Sequence, residues 1–126
     1  MGPPGSGQLA KLLNNALTMT NLKNAVDVFG LAKTLGLNIA AFWDAVSVSS
    51  GSSFILKSLN QAVSPAIAPH LQGLMRKDIA HFADAIRSRG LDPRALQERG
   101  LGGANGLVEL VNLIARYQGS CKPDRT

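Results

Sequence analysis

One cysteine, one tryptophan, one tyrosine and two histidines are all that 126 residues contain of those types, and each scarcity removes a class of function. A lone thiol, Cys121 in the polar tail CKPDRT, can neither close an intrachain disulfide nor assemble a cysteine metal site. His70 and His81 stand three helical turns apart with no Asp or Glu cluster beside them, which is not a metal-ligand spacing. No metal and no histidine catalysis is therefore expected. Aromatic residues make up only 5% of the chain, so a base-stacking platform is absent. The formal net charge is +5, and the basic residues, ten of them from Lys23 to Arg116, are dispersed without a dense basic run. Nucleic acid is not an expected partner, and a scattered basic balance suits small anions such as carboxylates or dinucleotide phosphates. No apolar run approaches the roughly 18 residues of a membrane span, and residues 1–7 have neither the basic nor the apolar segment of a secretory signal. The expectation is a cytoplasmic protein with no membrane partner. Finally, no candidate strand leads into G-x-G-x-x-G and a helix, so a dinucleotide-binding fold is not expected within these residues.

What is present is helix. Residues 5–35, GSGQLAKLLNNALTMTNLKNAVDVFGLAKTL, run without proline. Leu9, Leu12, Leu13 and Ala16 form one apolar row and Leu22, Val26, Phe29 and Ala32 another, so this long helix should be wrapped by later ones. Lys11, Asn14, Asn15 and Thr18 recur at spacings of three and four and project as one polar stripe. Such a row is also what an ordinary solvated face looks like.

The remaining elements follow from their punctuation. Gly36 supplies a left-handed stop, and Asn38 caps a short helix with Ile39, Phe42, Trp43 and Val46 on its apolar face. Trp43 reads as a core anchor. SVSSGSS, residues 47–53, is a loop ending in a serine cap for a helix starting near Phe54. Pro65 and Pro69 turn the chain, and residues 71–91 carry Leu74, Met75, Ile79, Phe82, Ala83 and Ile86 on one face before Gly90 and Pro93 close that helix. GLGGANG reads as a glycine-rich linker, leaving a terminal helix over about 105–117. The whole is an all-α, multi-helix bundle of 126 residues, one domain burying roughly two thirds of its unfolded surface. Its expected parts are a flexible lead and glycine loop over 1–7, a helical domain over 8–120 and a disordered tail over 121–126.

Two short motifs resemble one family. GSGQLAKLLNN fits the G-x-G-Q-x-x-K-x-x-N-N pattern that opens the helical C-terminal domain of the β-hydroxyacid dehydrogenases, the 3-hydroxyisobutyrate and tartronate semialdehyde reductase type. LMRKDIAHFADA is similar to that family's second hallmark, a Lys-Asp pair on a cofactor-facing helix. The resemblance implies a C-terminal domain of the 6-phosphogluconate dehydrogenase-like superfamily. It gives Lys11 the role of catalytic acid or base, Asn15, Asn14 and Gly7 that of substrate contacts, and Lys77 and Asp78 that of cofactor contacts. The Lys77–Asp78 pair read without the resemblance is an exposed charged pair. A serine and glycine turn near the family's substrate pocket adds Ser50, Gly51 and Ser52 as pocket candidates.

The implied function is the catalytic and dimerisation domain of an NAD- or NADP-dependent dehydrogenase acting on a small hydroxyacid. The family also holds its substrate with a Ser-Gly-Gly segment of a nucleotide-binding domain, which these residues do not include, so the chain alone should be inactive. The alternatives are an orphan helical module that associates with itself, as a homodimer, or with a partner, and a helical bundle unrelated to the family.

Overall fold

The computed structural model describes residues 6–59 and 61–121 and places them in five helices: α1 (Ser6–Thr34), α2 (Ile39–Ser47), α3 (Phe54–Ser58), α4 (Ala68–Arg87) and α5 (Arg94–Cys121). There is no strand among the described residues, and no described helix is long and apolar enough to cross a membrane. Residues 1–5 and 122–126, which hold most of the expected lead and tail, lie outside the described residues. Ser6 and Gly7 belong to the first turn of α1 and not to a loop.

Local chemistry sets most of the boundaries. Twenty-nine residues make α1 about 43 Å long at 1.5 Å per residue. It stops where Gly36 turns to φ +80°, a conformation that costs a residue without Cβ nothing. Leu37 N–H then reaches back to Ala32 O at 3.0 Å and Gly36 N–H to Lys33 O at 3.0 Å, closing the carbonyls the helix end leaves open. The end of α4 repeats this closure at Gly90, with φ +78° and Leu91 N–H on Ile86 O at 3.3 Å. Asn38 caps α2 by accepting from Ala41 N–H at 2.9 Å, and Ser53 caps α3 by accepting from Leu56 N–H at 3.2 Å. The α4 helix begins at Ala68, three residues before the expected start, because Pro69 falls in its first turn, where no amide donor is needed.

The core gathers one side of every helix. Met19, Leu22 and Phe29 of α1 meet Ile39 and Trp43 of α2, Leu56 of α3, Met75, Ile79 and Phe82 of α4, and Leu107, Val111 and Ile114 of α5. Each such side chain, fully buried, contributes roughly 1.5–3 kcal/mol. The Trp43 indole N–H also donates to Leu56 O at 3.0 Å, pinning α2 to α3. Leu74, expected on the inner face of α4, is instead exposed. The wrapping of α1 is likewise incomplete: Leu13, Leu17, Val28, Leu31 and Leu35 remain exposed. At 100° per residue these five fall within about 60° of one another, a single outward stripe.

The C-terminal half corrects the sequence reading. GLGGANG is not a linker, and no separate helix starts near 105; α5 is continuous through all of its glycines. A glycine inside a helix costs roughly 0.5–1 kcal/mol relative to alanine, and here packing offsets that cost. A Cβ on Gly103 would sit 2.1 Å from Met19 O and 3.0 Å from Lys23 N, and one on Gly106 would meet Val26 Cγ2 at 2.8 Å. A Cβ on Gly100 would meet Ile79 Cδ1 of α4 at 2.6 Å. Spaced by three, these glycines lie on one face: Gly103 and Gly106 let the backbone of α5 rest directly on α1, and Gly100 makes room for Ile79 of α4.

Candidate functional site

At the N-terminal end of α1 the helix faces α4 across an open cleft of about 340 Å³, lined by Gln8, Lys11, Leu12 and Asn15 from α1 and by Asp78 and His81 from α4. The α1 residues fall at spacings of three, four and seven, one helix face. Asp78 and His81 are likewise three apart on theirs. Beneath them Ile79 and Phe82 are buried and hold α4 in place. Asn15 and Asp78 are partly buried, whereas Lys11 and His81 stand exposed at the rim.

Of the residues singled out from sequence, the fold thus brings Lys11, Asn15 and Asp78 into one cleft. Asn14 and Gly7 are exposed on α1 outside the cleft lining. Lys77, one residue from Asp78 and therefore about 100° round the helix, is exposed and does not line it either. The Thr18 hydroxyl donates to Asn14 O at 3.1 Å within its own helix, so it is committed to the backbone. Gln8 and His81 enter the cleft without having been assigned a role. The signal for His81 was its place three residues after Asp78, which matters for sharing a face and is invisible to a test of metal spacing.

Ser50, Gly51 and Ser52 do line a cavity, but a different one. It has a volume of about 420 Å³, is bounded by α1 from Asn21 to Phe29, by Val46 and by Leu56, and shares no lining residue with the Lys11 cleft.

Chemically the Lys11 cleft offers one ammonium, one carboxylate, two side-chain amides and an imidazole. This set can bind a small oxygen-bearing anion and exchange a proton with it. Its volume lies at the lower end of the roughly 300–1,000 Å³ of small-molecule sites, enough for a small acid or for one end of a cofactor but not for a dinucleotide.

Residues 5–98 match the family described as NAD-binding of NADP-dependent 3-hydroxyisobutyrate dehydrogenase. No curated protein and no solved structure matches the chain. The matched span takes in both walls of the cleft and stops within the first turns of α5, before the glycines that pack on α1. With an all-helical build and a match over most of its length, the chain belongs to the 3-hydroxyisobutyrate dehydrogenase-like family of NAD(P)-linked oxidoreductases, as a helical domain of the 6-phosphogluconate dehydrogenase-like type.

Proposed function

We propose that the cleft between α1 and α4 is the helical wall of a hydroxyacid dehydrogenase site. The observation that carries this reading is that Lys11 and Asn15, from one family motif, and Asp78, from the other, line a single cleft although they are far apart in sequence. When bound, NAD or NADP supplies the hydride chemistry. The chain's own residues supply position and a proton path. Lys11 Nζ exchanges the proton of the substrate hydroxyl, and the Asn15 amide, one helical turn on, holds the same oxygen. Asp78 sets a carboxylate across from the Lys11 ammonium and orients it. Lys77, on the exposed side of α4, reaches toward the cofactor, while Asn14 and Gly7 meet substrate only where a second body closes over α1.

No strand, and so no strand-built dinucleotide fold, occurs among the described residues, so the isolated chain should show no turnover with hydroxyacid and NAD or NADP. Joining a nucleotide-binding domain from this family before Gly5 should produce hydroxyacid-dependent reduction of the cofactor. Lys11→Ala should then lower the rate by roughly 10²–10⁴, the worth of a positioned proton-transfer group, with the helical circular dichroism unchanged. A fusion that is active and indifferent to Lys11→Ala would refute the role given to Lys11.

A second reading, in which the domain serves to associate with itself, is favoured by the outward stripe on α1, where Leu17 and Leu31 are each 59% exposed. Stripes of this kind mark association surfaces, and a twofold dimer matches such a surface with its own copy. Light scattering should report a dimer, and Leu17→Glu with Leu31→Glu should return it to monomers; a monomeric parent chain would remove this reading. A fusion that folds as a dimer and stays inactive would favour it over the first.

A further inference from the structure

The cavity beside the serine turn, about 420 Å³, is one that the dehydrogenase reading leaves unused. Its lining on α1 is centred about 20 Å further along the helix than that of the Lys11 cleft, by helical rise, and no residue is common to the two. Its floor is apolar and fixed: Phe29 and Leu56 are buried, and the Phe29 ring is braced by Phe42 at 4.9 Å between centroids and 52° between planes. Its walls are polar and uncharged, made by Asn21, Asn24, Ser50, Ser52 and Ser53.

Three of these groups have hydrogen-bonding capacity in reserve. The Arg99 guanidinium donates to Asn24 Oδ1, which fixes the amide and leaves its NH₂ as the free end. Ser53 Oγ accepts from Leu56 N–H at 3.2 Å, so its own O–H remains available to donate. Ser52 Oγ is shut off from solvent and has no hydrogen-bond partner among the described residues. An orphaned hydroxyl destabilises the fold, and since no bond holds its rotamer, a rotation about χ1 can turn it toward a ligand without breaking anything.

We propose that this cavity is a second small-molecule site, which takes an uncharged ligand carrying a carboxamide or hydroxyl on a flat apolar frame. The frame lies on Phe29, Val46 and Leu56, and the polar end takes up Asn24, Ser52 and Ser53. A carboxylate is disfavoured because no cation lines the cavity to repay its desolvation; the Arg99 guanidinium reaches the site only through Asn24.

The test is a titration of the ¹⁵N-labelled full chain with benzamide, followed by amide chemical shifts, with benzoate as the charged isostere. Saturable shifts confined to residues 21–29 and 46–56, with a Kd of about 1–10 mM as suits nine heavy atoms, are expected for benzamide, and binding at least about tenfold weaker for benzoate. Ser52→Ala should weaken benzamide at least about threefold while leaving the melting temperature unchanged or higher, because it deletes an orphaned hydroxyl. Asn24→Ala should weaken it comparably. Absence of saturable shifts there up to 20 mM benzamide (about twice the weakest Kd expected for this size), shifts centred on Lys11 and Asn15, equal affinity for benzoate, or a Ser52→Ala variant that melts lower and binds as well would each overturn the proposal.

Discussion

The middle of α1 and its N-terminal end solve opposite problems with the same side of the helix. From Met19 to Val26 it meets α5 so closely that a single methyl on Gly103 would collide with the Met19 carbonyl. From Gln8 to Asn15 it meets α4 across open space, with polar side chains on both walls. The difference teaches that the cleft is not held by its own residues. Contact of backbone with backbone leaves no side chain to change rotamer, so the tight middle fixes the axis of α1, and Lys11 and Asn15 inherit that position without spending their own interactions on the fold.

The largest expected effect comes from breaking the tight contact. Gly103→Ala must push α5 away from α1, since the obstacle is a backbone carbonyl and not the far end of a flexible side chain. We expect a loss of about 3 kcal/mol and a fall in melting temperature on the order of 10 °C. A variant that melts like the parent would show that the helices are not in this contact. Gly73→Ala sharpens the same point with the opposite sign. Gly73 is exposed on α4 with nothing within 4 Å of a Cβ, so the substitution should add roughly 0.5–1 kcal/mol in a denaturant titration.

The open end should respond less still. Lys11 is exposed, and Lys11→Ala in the chain itself should change stability by less than about 0.5 kcal/mol; a larger loss would mean that the cleft does hold the fold after all. The smallest effect is expected where α5 starts. The Asp92 carboxylate takes hydrogen bonds from the Arg94 side chain, at 3.0 Å, and from its backbone N–H, also at 3.0 Å, and these hold its pKa below the usual carboxylate value. A depressed folded pKa means stability that is present above the unfolded value and lost as pH falls through the folded one. The pair is exposed, so Asp92→Asn should lower the melting temperature only slightly at pH 7, and the difference from the parent should vanish below the usual carboxylate range. A fall as large as that of Gly103→Ala would show that α5 is held by its start and not by its glycines.

Features encoded within four or five neighbouring residues were legible in the sequence. The stop at Gly36 and the caps at Asn38 and Ser53 need only local chemistry, and the structure has each of them; the burial of Trp43 follows from its place on the apolar face of α2, while its bond to Leu56, thirteen residues on, does not. Propensity counts each glycine of α5 as a breaker, whereas Gly100, Gly103 and Gly106 act together as a face whose value exists only once α1 and α4 are laid against it. The same limit governs the site. The face of Lys11 and Asn15 could be read from spacing, but the choice of Asp78 over Lys77, and the presence of His81, depend on how α4 is rotated against α1. The Ser50–Ser52 turn was placed near a pocket, and only the fold separates that pocket from the one at Lys11.

Trp43 is the only tryptophan in the chain, and its indole N–H is bonded to the carbonyl of Leu56, a residue of the cavity floor. The protein therefore carries its own optical probe, a buried fluorophore whose emission colour and quenching by added iodide report on the corner of α2 and α3 alone. Excited at 295 nm, a wavelength absorbed by tryptophan in preference to tyrosine (about the red edge of the aromatic band, where the polar end of the buried indole senses its surroundings), the chain would signal loosening of that corner while circular dichroism still recorded intact long helices.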